Sequence, residues 1–501
     1  MKLLSGVVLL SLGLSLAGPL AADEGASEFS ASGRAVAAWE GTGGEGEPGE
    51  ADLGAPHVDG GALGLVWVIP FVGMLLSIAV LPLVTPHLWH DHFGKISAFW
   101  ALSFILPFTL TFGTDVAAFE ILHTVLLEYL PFIILLFALF TVSGGVRLTG
   151  GLRGSPVVNT GILAIGTVLA SFMGTTGAAM LLIRPLLEAN SGRRYSVHVV
   201  VFFIFLVANV GGSLTPLGDP PLFLGFLKGV DFFWPTRHML LPMAMVSTIL
   251  LALFFVLDRY LFQKENPAPA AAPRGKEPLR IEGAHNIVLL GGVLAVVLMS
   301  GLWRPDMGFE VYHVRIELQN LLRDLLLVAI AFVSIKASSA ESRRAAAFTW
   351  FPIIEVAKLF AGIFLTLVPA IAILKAGTEG ALAPMVSILS VGGQPVNPLY
   401  FWLTGTLSSF LDNAPTYLVF FNTAGGDAQT LMGPLKTTLL AISAGAVFMG
   451  AMTYIGNAPN FMVRAIAQER GVPMPSFFGY MAWSCGILGP IFVLVTVVFF
   501  V

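Results

Sequence analysis

Two stretches decide the fold: "ANVGGSLTPLGDPPLFLGFL" at 208–227 and "GAMTYIGNAPNFMVRAI" at 450–466. Each lies inside a long apolar run of the kind that forms a membrane-spanning helix. The first places Asp219 between Gly218 and the pair Pro220-Pro221. Proline lacks the N–H that continues a helix ladder, and glycine lets the chain turn. The helix is therefore expected to break at Asp219. Non-helical backbone at membrane depth is tolerated only where it is buried in protein or lines a cavity. An ionisable side chain there is costly and points to function.

The rest of the chain supports a membrane setting. It has 501 residues, of which 56% are hydrophobic and 11% charged, against about 25% charged in an ordinary soluble domain. Mean hydropathy is +0.84. The single cysteine, Cys485, excludes an internal disulfide and a multi-cysteine metal site. Lys2, the apolar run 3–16 and small residues up to Ala22 read as a signal peptide or an uncleaved first span over 1–22. Residues 23–62 are rich in Gly, Ala and acids and read as a disordered extracytoplasmic tail. Residues 63–501 form the expected transporter domain.

The fold expected is all-α and polytopic, with about ten spanning helices of some 20 apolar residues each. They fall near 63–84, 95–113, 121–143, 196–228, 236–260, 284–302, 321–337, 352–374, 436–467 and 477–501. Two further apolar stretches, 157–187 and 398–422, break at "SFMGTTG" and "SSFLDNAPT". Lys and Arg concentrate in alternate loops, as the positive-inside rule requires, only if both stretches enter and leave on one side. They are read as re-entrant hairpins, the first open to the cytoplasm and the second to the outside. The localisation expected is the inner (plasma) membrane, with the N-terminal tail extracytoplasmic.

A shift of 238 residues aligns the two halves. Gly212, Thr215, Gly218, Pro221 and Phe223 fall on Gly450, Thr453, Gly456, Pro459 and Phe461. Ser171-Phe172 falls on Ser409-Phe410, Thr175 on Asn413, and Asp219 on Asn457. The repeats span about 121–260 and 352–501, and the loop assignment gives them opposite orientations. Inverted repeats with interrupted helices at matching positions mark secondary transporters.

The polar residues at the breaks form the candidate ion or substrate site. They are Asp219, Asp412, Asn413, Thr215, Ser213, Asn209, Thr175, Thr176, Ser171, Ser409, Thr453, Asn457 and Asn460. Their oxygens suit a hard cation, and a Na⁺ site is expected at Asp219, Asp412 and Asn413. Asp219 before proline also makes a good helix N-cap, and Asp412-Asn413 could serve turn chemistry alone. Glu355 and Lys358 lie three apart on one helix, as an ion pair or a proton relay, and Glu128 is read as holding a comparable position in the first copy. His87, His90 and His92 fall in an expected loop, "TPHLWHDHFGK". There is no P-loop, HExxH or nucleophile elbow, so no enzyme chemistry is indicated.

The residues resemble the ion transporter superfamily, which includes NhaD-type sodium/proton antiporters, citrate and arsenite permeases and sodium/dicarboxylate carriers. The resemblance covers about 60–501 and rests on "ANVGGSLTPLGDPP" (208–221), "SSFLDNAPT" (408–416) and "GAMTYIGNAPN" (450–460). The Gly-Asp-Pro-Pro and Asp-Asn-x-Pro elements match the antiporter and permease branches. The hairpin tips Gly174-Thr175-Thr176 and Asp412-Asn413-Ala414 depart from the Ser-Asn-Thr of the dicarboxylate carriers. The resemblance implies a homodimer in the lipid bilayer, with a scaffold and a transport domain that carries both hairpins and both broken helices. It implies Na⁺ and H⁺ as the transported or coupling ions, no cofactor and no nucleic-acid partner. Cation and proton would compete for Asp219 and Asp412. The alternative cargo is citrate or another organic anion.

Overall fold

Prolines and glycines set the helix boundaries. In this computed structural model, residues 56–265, 280–338, 343 and 348–501 are described. The expected signal segment and most of the expected tail lie outside them. Residues 56–62 of the expected tail are among those described. A short turn at Gly60–Ala62 docks on the span that ends at Lys375, so closely that a Cβ on Gly60 would lie 1.9 Å from the Ala372 carbonyl oxygen.

Among the described residues the helices are α1 (Ile69–Val84), α2 (Pro86–Phe112), α3 (Thr114–Ser143), α4 (Pro156–Met173), α5 (Thr175–Ala189), α6 (Val197–Leu206), α7 (Pro220–Leu227) and α8 (Trp234–Lys264). There follow α9 (His285–Leu302), α10 (Leu318–Ala337), α11 (Phe351–Lys375), α12 (Asn397–Phe410), α13 (Asn413–Thr423), α14 (Lys436–Met449), α15 (Ala458–Glu469) and α16 (Phe477–Phe499). Helix α3 contains a π-helical turn at Thr124–Tyr129. Two-stranded antiparallel ribbons occupy loops.

Nine of these helices are long and apolar enough to cross a membrane. All but α4 are expected spans. The two remaining expected spans are the broken ones, α6–α7 and α14–α15. Helix α7 has 8 residues, about 12 Å of rise, and cannot cross a core about 30 Å thick alone. The expected hairpins are α4–α5 and α12–α13. The start of α2 corrects one expectation. His87, His90 and His92 lie in its first turns, where Pro86 sits at the favoured N1 position, and not in a loop.

The 238-residue repeat is exact at the breaks. Helices α5 and α13 begin at Thr175 and Asn413, and α7 and α15 begin at Pro220 and Ala458. Contacts between loops sort the molecule into two faces. On one, here the tail face, Val58 N donates to Glu120 (3.2 Å), Tyr312 to Asp115 (3.1 Å), and Asp231 N approaches the Met432 sulfur (3.1 Å). On the opposite face Arg193 pairs with Glu265 (3.3 Å), Arg343 donates to the Thr141 carbonyl (3.2 Å), and strand β1 (Arg147–Thr149) pairs with β2 (Arg280–Glu282). The first hairpin opens to that opposite face and the second to the tail face. Every residue from Val199 to Gly212 is buried. Large apolar side chains on α2, α9, α10 and α16, such as Leu110, Val288, Phe332 and Val497, are exposed, as lipid-facing surfaces require.

Candidate functional site

The hairpin tips and helix breaks meet at Asp219. It occupies the N-cap position of α7 with extended backbone, yet its side chain makes no capping bond. The carboxylate instead turns away from its own helix. Thr175 Oγ1 donates to Oδ1 (3.2 Å), Asn457 Nδ2 donates to Oδ1 (3.4 Å), and Asn413 Nδ2 donates to Oδ2 (2.5 Å). These donors come from the first hairpin tip, the second broken helix and the second hairpin tip. Asp219 is 1% exposed. Among the described residues no Lys, Arg or His forms an ion pair with it. Neutral donors lower the cost of burying a carboxylate but leave its charge uncompensated, and an unpaired buried charge costs several kcal/mol. A proton or a bound cation removes that cost. Asn413 Oδ1 is buried and has no hydrogen-bond partner, so it offers a further oxygen beside the carboxylate.

Asp412 behaves in the opposite way. Its Oδ1 accepts from Ala414 N (3.1 Å), its carbonyl accepts from Thr416 Oγ1 (3.0 Å), and it caps α13. Gly174, its counterpart in the first hairpin, has φ +80, and the chain turns there without a cap. The acid at 412 does locally what glycine does at 174. The structure therefore places Asp219 and Asn413 in one site, and gives Asp412 a local bond rather than a hydrogen bond to either.

The hydroxyl residues tie each hairpin to its broken helix, identically in the two repeats. Thr215 Oγ1 donates to the Ser171 carbonyl, and Thr453 Oγ1 to the Ser409 carbonyl. Ser171 Oγ donates to the Gly211 carbonyl (2.5 Å), and Ser409 Oγ to that of Met449 (2.9 Å). Ser213 Oγ donates locally to the Val210 carbonyl (2.8 Å). Asn209 and Asn460 stitch the two breaks together. Asn209 Nδ2 donates to Asn460 Oδ1 (2.7 Å), and Asn460 Nδ2 donates to the carbonyls of Gly450 (2.8 Å) and Thr453 (2.9 Å). Asn457 Nδ2 also faces Asn209 Oδ1 (3.4 Å) and the Ala208 carbonyl (3.2 Å). Ser171, Ser213, Thr215, Ser409, Thr453, Asn209 and Asn460 thus bond to backbone and to one another, and the hydrogen bonds to Asp219 come from Thr175, Asn413 and Asn457.

Thr176 lines a cavity of about 90 Å³ beside Asp219. Its walls are the first hairpin tip, the α7 break, Leu135 to Phe140 of α3, Pro352 to Val356 of α11, and Ala458 and Met462 of α15. The polar side chains on it are Thr175, Thr176 and Asp219, and no Lys, Arg or His lines it.

Glu355 and Lys358 do not reach the site or form an ion pair with each other. The Lys358 ammonium lies 5.6 Å over the Phe93 ring, and its carbonyl accepts from Ser97 Oγ (2.7 Å). Glu128 does not share the position of Glu355, because the repeat offset pairs it with Thr366. Two buried ion-pair groups were not read from the sequence. Glu128 pairs with Lys228, at the far end of α7. Buried Asp258 binds Asn159 Nδ2 (3.0 Å), His198 Nε2 (2.8 Å) and Arg193 Nη1 (2.6 Å), which locks the base of the first hairpin to α6 and α8. An acid inside the apolar run 236–260 was the available signal.

Comparison with known proteins fits this architecture. Residues 60–500 match the family described as "Putative citrate transport". The chain belongs to that family. It is 27% identical over 336 residues to an uncharacterized transporter of Mycobacterium bovis, covering 64% of this chain and 72% of that one. It is 24% identical to a "46 kDa membrane protein" of Mycobacterium leprae, over 64% and 72% of the two chains. An uncharacterized transporter of Mycobacterium tuberculosis is 25% identical, over 62% and 70%. The protein is a multi-pass membrane transporter of that family.

Proposed function

We propose that the protein exchanges a small cation, Na⁺ first among candidates, for protons at Asp219. The observation that carries this is a buried carboxylate held by neutral donors from both repeats, with no cationic side chain among the described residues paired to it. Such a group is satisfied by a proton or by a cation but not by both at once, and that exclusion couples the two fluxes. Asn413 Oδ1 and Thr175 Oγ1 are the oxygens that would join Asp219 around a cation. Asp412 would tune the site from the second hairpin tip rather than ligate. The chain would sit in the inner membrane as a homodimer with the tail face outside, as the Lys and Arg distribution favours.

The second reading is a carrier of citrate or another organic anion, and the family description favours it. A tricarboxylate in the cavity would meet a carboxylate and no Lys, Arg or His, although hairpin-helix N-termini can bind anions. Everted vesicles from cells lacking their own sodium/proton antiporters separate the two. Sodium added to acid-loaded vesicles should raise the internal pH, and Asp219→Asn should cut the response more than tenfold. Citrate uptake without any sodium-evoked pH change would replace the first reading with the second.

A further inference from the structure

The cavity and the Glu128–Lys228 pair lie at opposite ends of the same interface. Helix α7 carries Asp219 and Phe223 at the cavity, and Lys228 caps its other end. On α3 the chain runs the other way, so the order in space is the same. Leu135 to Phe140 line the cavity, and Glu128 lies in the π-helical turn toward the tail face. At about 1.5 Å per residue, Lys228 lies about 13 Å along the α7 axis from Asp219, toward the tail face.

The pair is largely buried, with side-chain exposures of 22% for Lys228 and 10% for Glu128. The turn that holds Glu128 is braced on α11, where Tyr129 Oη donates to the Ala357 carbonyl (3.0 Å). Arg323 of α10 lies 6.0 Å from the Phe223 ring on the same side. The repeat supplies no second copy, because Glu128 and Lys228 align with Thr366 and Ile466. The opposite side of the interface, where α3 and α11 meet α15, holds the apolar cavity instead.

We propose that the Glu128–Lys228 pair is a latch. It clamps the hairpin and broken-helix core to α3 on the tail face, and keeps Asp219 reachable from the opposite face only. The latch must open before Asp219 can be reached from the tail face. This rests on the transport reading, because alternating exposure is what a carrier of any cargo needs. Losing one partner leaves the other charge largely buried without it, and separation of the core from α3 opens that charge to water.

The test is labelling of single cysteines in the full-length protein in oriented vesicles, with Cys485→Ser as background and a membrane-impermeant maleimide. Val356→Cys reports the cavity, and Asp306→Cys, in an exposed tail-face loop, reports sidedness. With the pair intact, Val356→Cys should label only from the face opposite Asp306→Cys. Glu128→Gln and Lys228→Met should each lower that rate at least threefold, and the charge-swapped Glu128→Lys/Lys228→Glu should restore it. Labelling of Val356→Cys from the tail face or from neither face, unchanged rates in both single variants, or a swap that fails to restore would each overturn the latch. The swap also separates loss of the pair from loss of folding. Labelling needs no ion gradient, so a wrong cargo leaves the result intact.

Discussion

Two aspartates precede the second arm of a hairpin or broken helix, and side-chain direction separates them. Asp412 caps its own helix, and Asp219, in N-cap position, does not. Sequence shows that both are acids at breaks. It does not show which carboxylate turns away, because the partners of Asp219 lie up to 238 residues away. The roles of Asn209 and Asn460 were hidden for the same reason: an amide beside a break reads as a ligand until its own donors are seen to be spent on another asparagine and on backbone carbonyls. Asn413→Ala should raise the KM for sodium about tenfold or more, since bonds to a charged group contribute some 1.5–3 kcal/mol. Asp412→Asn, which keeps one capping oxygen, should change it far less, and steady-state exchange in vesicles measures both. Competition also fixes a sign with pH. On the acid side of the profile each unit of rising pH should lower the apparent KM for sodium about tenfold, until the carboxylate no longer holds a proton.

At the scale of elements, the positions of the breaks were legible because proline and glycine chemistry is local. Pro220 and Ala458 open their half-helices at matching positions, and Gly174 or Asp412 turns each hairpin. What holds hairpin to broken helix was legible only as a mirrored set of hydroxyls. Thr215→Val and Thr453→Val should each cost about 1 kcal/mol, seen as similar falls in Tm in detergent, because the two make the same bond. The glycines are less forgiving. A Cβ on Gly218 would lie 2.1 Å from the Gly212 carbonyl oxygen, and one on Gly456 would lie 2.6 Å from that of Gly450. Gly218→Ala and Gly456→Ala should fail to give a monodisperse peak in size-exclusion chromatography, with the first the more severe.

At the scale of the molecule, charge distribution and the repeat gave a topology that the loop contacts match: loops assigned to one side touch one another. Tertiary ion pairs were out of reach, since nothing in the chain announces that Glu128 meets Lys228 100 residues on. The orientation predicts that Asp306→Cys labels from outside intact cells and Arg470→Cys only after permeabilisation. The central claim is that Asp219 holds either a proton or a cation. It is tested most directly by adding NaCl to purified protein in weakly buffered detergent solution and measuring released protons. Release of about one proton per sodium bound, lost in Asp219→Asn and not evoked by choline chloride, is the expected result. Sodium binding without proton release, or release that survives Asp219→Asn, would contradict it.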